Sequence, residues 1–163
     1  MKVLLACEES QAVCKEFRAL GHEAYSCDIL PTSGNNPEWH IQDDLMHVMH
    51  SGEWDMMVAF PPCTHLAVSG ARWFKEKQQE QKEALDFVRM LLDAPIKHIA
   101  LENPVSVISS KIRKPDQIIQ PWHFGHEAQK TTCLWLKNLP HLTHTKVVDK
   151  GEFTTFKSGK RHP

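Results

Sequence analysis

Short apolar runs alternate along the chain with stretches whose apolar residues recur every three or four positions. KVLLAC, Lys2 to Cys7, is nearly continuous and predicts a buried strand of a parallel sheet. In the following SQAVCKEFRALG, Ala12, Val13, Phe17 and Leu20 share a helical face, with Ser10 placed as N-cap and Gly21 as the left-handed residue that closes the helix. EAYSCDIL predicts a second strand ending in Asp28, and PTSGNNPE is a cluster of breakers that belongs on the surface. HIQDDL predicts a short third strand running into Asp43 and Asp44, and DMMVAF, Asp55 to Phe60, a fourth. The longest helical pattern, EKQQEQKEALDFVRMLLDA, sets Leu85, Val88, Leu91 and Leu92 on one face, and KHIALE predicts a fifth strand ending in Glu102. QIIQPWHFG and TTCLWLKNLP read as two further strands with only a polar loop between them, which predicts an antiparallel pair at one edge.

Strands alternating with helices predict an α/β fold, a Rossmann-like, doubly wound and mostly parallel sheet with the antiparallel pair at its C-terminal edge. A length of 163 residues suits one domain. Residues 1–145 are expected to form it, and residues 146–163 to be a polar, basic tail that is flexible or cut short.

With 41% hydrophobic and 24% charged residues the composition is that of a soluble globular protein, and a net charge of −1 excludes binding of nucleic acid over the whole surface. Any contact with DNA is then local and weak; KIRK, Lys111 to Lys114 with Arg113 between, and Trp73 are its candidates. The five cysteines form no CxxC pair, and no apolar run approaches the roughly 18 residues that a membrane span needs, so a cytoplasmic location without a membrane partner is expected. HVMH and HFGH pair histidines three apart but lack partner cysteines at short spacing, and no metal is expected.

In open parallel sheets ligands bind beyond the carboxyl ends of the strands, near the point where strand order reverses. That rim collects Glu8, Glu9 and Ser10, Asp28, Asp43 and Asp44, Pro61-Pro62-Cys63, and a Glu102-Asn103-Pro104 turn. Singly, each acid is either functional or only a helix cap, and Cys63 is either a nucleophile or a buried thiol. Two features favour chemistry. Pro61 and Pro62 fix two φ angles and remove two backbone donors, so Cys63 sits on a rigid loop, with His65 and Arg72 as the local groups able to favour a thiolate. A carboxylate closing an apolar strand, as Glu102 does, is placed to hold a raised pKa. Cys7, Cys14, Cys27 and Cys133 lie within apolar elements and read as inert.

DMMVAFPPCTHLAVSGA resembles the nucleophile motif of cytosine-C5 DNA methyltransferases, in which an aspartate and an apolar strand lead to Pro-Cys. ALENP is similar to that family's Glu-Asn-Val strand end, and FGHEAQKTT falls where the family has a Phe-Gly and Gln-Arg strand. The likeness runs to about Pro140 and is nearest to small phage-type members without a target-recognition domain. It implies an S-adenosylmethionine-dependent enzyme in which Cys63 adds to C6 of cytosine and Glu102 acts as the acid near N3. It further implies that Pro62, Asn103 and Lys130 contact the substrate, that Cys7, Glu8 and Glu9 hold the methionine end of the cofactor, and that Asp28 takes its ribose and Asp44 its adenine. The substrate is cytosine in DNA, or alternatively a free cytosine nucleotide. A catalytically silent binding module of the same fold is the remaining alternative. A zinc deaminase is excluded, because its second cysteine would stand where Leu66 does.

Overall fold

The structure, a computed structural model, describes residues 1–73, 75–151, 154–155 and 161–162. The side chains of Arg72 and Trp73 lie outside that description, as do most residues of the expected tail beyond Gly151. Strands β1 (Lys2–Ala6), β2 (Glu23–Asp28), β3 (His40–Gln42), β4 (Met56–Ala59), β5 (His98–Pro104), β6 (Gln117–Ile119) and β7 (Thr132–Lys137) form one sheet in the order β3-β2-β1-β4-β5-β7-β6. The first five are parallel. β7 runs antiparallel to both β5 and β6, which is the expected antiparallel pair, with β7 inserted between the other two. A separate two-residue pairing joins β8 (Thr154–Thr155) to β9 (Arg161–His162).

Helices cover both faces, as parallel strands buried on two sides require. Val3 and Leu5 of β1 point to α1 (Ala12–Ala19) and pack with Cys14, Ala24 and Met56. Leu4 and Ala6 point the other way, to a larger core with α2 (Leu45–Ser51), α3 (Gln78–Leu92) and the single turn α4 (Ile108–Lys111). Leu85, Val88 and Leu91 of α3 are buried in that core, as their spacing predicts. Trp135 of β7 is fully buried and donates its indole N–H to the Arg113 carbonyl at 2.8 Å.

Three expectations change. Helix α2 follows β3 directly, capped by the Asp44 carboxylate, which accepts the Met46 N–H at 2.8 Å. The Glu102-Asn103-Pro104 turn is instead the end of β5, because Leu134, Cys133 and Thr132 of β7 pair with those three residues. Helix α1 starts at Ala12 and takes its main cap from Glu8, described below, while Ser10 accepts only a 3.4 Å bond from Ala12.

Candidate active site

Strand order reverses between β1 and β4, and Ala6 pairs with Ala59 at that point, so the chain segments after both strands leave the sheet side by side. A cavity of about 650 Å³ opens there. Cys7 follows β1, Asp28 ends β2, Asp43 and Asp44 follow β3, and Pro62 and His65 come from the loop after β4; Glu80, Glu83 and Phe87 of α3 complete the wall. Asp28 and Asp44 are thus where the sequence expects them. Each spends one oxygen on local backbone, Asp28 on Leu30 at 3.0 Å and Asp44 on Met46, and the second oxygen makes no hydrogen bond among the described residues.

The loop from Cys7 to Gln11 is built tightly without glycine. Cys7 and Gln11 both hold left-handed φ angles, 60° and 62°, a conformation that costs about 1–2 kcal/mol for a side-chain-bearing residue. Surrounding bonds enforce it. The Glu8 carboxylate accepts the Val13 and Cys14 N–H groups at 2.6 and 3.1 Å, satisfying the first turn of α1. The buried Gln11 amide donates to the Asn36 carbonyl at 2.7 Å and accepts the Asn36 N–H at 3.2 Å. Gly34 lies so close to that amide that any Cβ there would collide with it. The Glu9 carboxylate accepts the Ser33 N–H at 2.9 Å, and hydrogen bonding from the Ser33 side chain first and its backbone second lowers its pKa.

Of the expected cofactor residues, then, Cys7, Asp28 and Asp44 line the cavity while Glu8 and Glu9 fasten the loop beside it. Burial pushes the Glu8 carboxyl up against the opposing pull of its two N–H partners. Glu8→Ala should strand two donors at the start of α1 and lower stability by about 1–3 kcal/mol in urea unfolding. Unchanged stability would show that the bonds from Val13 and Cys14 carry no weight.

The loop after β4 is fixed at both sides of Cys63. Asn103, buried in β5, donates from its amide nitrogen to the Pro61 carbonyl at 3.0 Å. Beyond Cys63 the chain turns sharply, with Leu66 and Ala67 both donating to the Cys63 carbonyl at 3.0 and 2.9 Å. Pro61 is buried, and Pro62 and Cys63 are exposed. Cys63 is the exposed cysteine; Cys14, Cys27 and Cys133 are buried and Cys7 half-buried, with burial pushing Cys7 and Cys27 up to about 12. Sequence reasoning named Cys63 and Asn103 separately; that Asn103 holds the proline carbonyl depends on β4 and β5 being neighbours. The Asn103 amide oxygen is buried and has no partner among the described residues.

Ala59 pairs with Leu101, so Glu102 stands one residue past the end of β4, on the strand beside the Cys63 loop. It is half-buried, and burial raises its pKa, moderated by the Lys130 charge. Lys130 is exposed on the β6–β7 loop, its N–H held by Gln120 at 2.9 Å. Lys111, Arg113 and Lys114 do not join this rim. The Lys111 carbonyl is bound by Arg89 in the last turns of α3, and Arg113 is paired to Asp116 at 2.7 Å and to the Leu136 carbonyl, level with Ala100. Among the described residues no three His, Cys, Asp or Glu side chains are placed to hold a metal ion, and no helix is long and apolar enough to cross a membrane.

No protein-family model matches the chain, and no curated protein matches it in sequence. Among solved structures it is similar to a candidate DNA modification methyltransferase encoded within an E. coli prophage, with a TM-score of 0.56 over 83% of this chain at 14% sequence identity. This chain spans 46% of that protein. The likeness shows the fold: a Rossmann-like α/β sheet, mostly parallel, with an antiparallel strand inserted near one edge.

Proposed function

We propose that the chain transfers a methyl group from S-adenosylmethionine to C5 of cytosine through a covalent adduct on Cys63. The observation that carries this reading is the Asn103–Pro61 hydrogen bond. It ties the loop presenting an exposed thiol to the strand presenting a partly buried carboxyl, beside a cavity at the strand-order reversal.

The cavity suits the cofactor. Its size lies within the range of small-molecule sites. The unengaged oxygens of Asp28 and Asp44 match the hydroxyl and amino donors of an adenosine, and Phe87, Pro62 and Ile29 supply apolar wall. Five carboxylates, Asp28, Asp43, Asp44, Glu80 and Glu83, create a negative field that favours a sulfonium cation. When bound, S-adenosylmethionine supplies the electrophilic methyl group that C5 accepts. Asp28 would hold its ribose, Asp44 its adenine, and the turn from Cys7 to Glu9 its methionine end.

C5 of cytosine is a feeble nucleophile until the ring loses its aromaticity. Cys63, as thiolate, forms a bond from sulfur to C6, and the electron pair of the C5–C6 double bond moves toward C5 and N3. Glu102, whose pKa burial raises, donates its hydrogen bond at N3 in its protonated form and offsets that charge. After methylation the C5 proton leaves to water, the C5–C6 double bond re-forms, and the pair of the C6–S bond returns to Cys63. Asn103 and Pro62 hold the sulfur in one position throughout, and little orientational entropy remains to be lost on attack.

The test is transfer of labelled methyl to DNA and, separately, to deoxycytidine monophosphate, with the product digested and identified by mass spectrometry. 5-Methylcytosine is expected, and Asp28→Ala should weaken cofactor binding in calorimetry by about 1–3 kcal/mol, roughly 5- to 150-fold in Kd. Methyl groups on an exocyclic nitrogen would overturn the C5 assignment. A chain that binds cofactor and methylates neither substrate would be a silent module.

A further inference from the structure

We propose that the β6–β7 loop together with residues 141–150 forms a binding surface for an unpaired polynucleotide strand and leads it to Cys63 and Glu102. This rests on the methyl-transfer reading for the identity of the site, and takes that site's substrate to be a strand instead of a free nucleotide. KIRK takes no part, lying away from this rim.

The position follows from strand register. Ile119 of β6 pairs with Thr132, which pairs with Pro104, so residues 120–131 lie on the edge of the sheet where Glu102, Asn103 and Pro104 end β5. The later segment is laid over this loop. Lys146 donates its N–H to the His123 carbonyl at 3.3 Å and Val148 donates to the Trp122 carbonyl at 3.0 Å.

Rings and cations meet where the two layers touch. His123 and His144 stack at 3.9 Å between centroids and 17° between planes, Trp122 stands edge-on to His123 at 4.1 Å, and the Lys150 ammonium lies 5.1 Å from the Trp122 centroid. Lys130, Lys146 and Lys150 are exposed there, against Glu127 and Asp149.

Among the described residues, the cavity side of the rim is opposite in sign. The five cavity carboxylates, with Glu9 behind them, suit a sulfonium and repel phosphate. Among the described residues lining the site, a polyanion is therefore favoured across the β6–β7 side. A mononucleotide presents a single phosphate, whereas three lysines spread over two chain segments match successive phosphates. Aromatic faces among such cations are the means by which proteins hold unpaired bases, whose rings are open to stacking, while a duplex hides them.

Fluorescence anisotropy of the full chain without cofactor, using a labelled 12-mer containing cytosine, tests this. The arms are single-stranded DNA, single-stranded RNA of the same sequence, and the DNA duplex. We expect a strand to bind with a slope of log K against log salt near −2, from three lysines at about 0.7 each, and the duplex to bind at least about tenfold more weakly. K146A/K150A should lower strand affinity at least about fivefold and remove roughly 1.4 from the slope, and K146R/K150R should restore both. The DNA and RNA arms identify the natural strand. No strand binding, equal binding of duplex, or an unchanged slope in K146A/K150A would overturn the proposal. A strand that binds as expected and is never methylated would leave this surface standing and remove the methyl-transfer reading; methylation of deoxycytidine monophosphate without strand binding would do the reverse.

Discussion

Cys63→Ala should abolish both methyl transfer and the covalent adduct that 5-fluorocytosine leaves on the protein. In the wild type, fluorine at C5 cannot depart as a proton does, so the ring stays bonded through C6 once the methyl group has been added. Mass spectrometry should find that adduct on the peptide holding Cys63. The fall in kcat is expected to be roughly 10⁴-fold or more, the scale on which loss of a covalent nucleophile acts in other enzymes. Stability should change by less than about 0.5 kcal/mol, because Cys63 is exposed and its side chain makes no hydrogen bond among the described residues. The loop is held instead through backbone, by Asn103 on the Pro61 carbonyl and by two N–H groups on the Cys63 carbonyl. An adduct on any of the other four cysteines, or transfer that persists in a folded, cofactor-binding Cys63→Ala protein, would sink the nucleophile assignment.

The sheet was legible because β1, β4 and β5 carry short apolar runs (VLLA, MMVA, IAL) bounded by turn-forming or polar residues, and that pattern survives without knowledge of neighbours. Helix α2 was not, since seven residues carrying His47 and His50 beside two methionines give too little period to read. The end of β5 shows a different limit. Glu-Asn-Pro has the chemistry of a turn, but a partner strand on β5 keeps it extended, and that partner lies about thirty residues away in the chain.

Position on the rim was legible, and the direction of a side chain was not. Glu8 and Asp28 both sit at the carboxyl ends of neighbouring strands, yet Glu8 turns back to cap α1 because Gln11, in a left-handed conformation, brings the helix N–H groups over it. Asp28 faces the cavity. Likewise a count of basic residues selects Lys111 to Lys114, although the lysines beside the site come from two segments brought together only by folding. The resulting rim has its cavity lined with acids and a lysine-bearing surface beyond Glu102, a division that no local stretch of sequence shows.

Glu102→Gln should separate catalysis from stability by moving them in opposite directions. Burial lifts the Glu102 pKa above the ordinary glutamate range, and Lys130 only moderates the lift. Between the unfolded and the folded pKa the native protein therefore holds more proton at this site than the unfolded chain does. The contribution of Glu102 to stability is fully present below the unfolded pKa and is lost as pH rises through the folded one. Glutamine, neutral at every pH, avoids that loss, so Glu102→Gln should unfold at an equal or higher temperature than wild type at pH 8, with no such advantage at pH 4. Activity should go the other way: without an acid at N3, kcat is expected to drop about 10²- to 10⁴-fold. In the wild type kcat/KM should fall as pH rises past the raised Glu102 pKa, and Lys130→Met, by removing the moderating cation, should shift that descending limb to higher pH. A Glu102→Gln protein that is less stable at pH 8, or one that keeps wild-type kcat, would show that this carboxyl is a structural member of β5 and not the acid of the reaction.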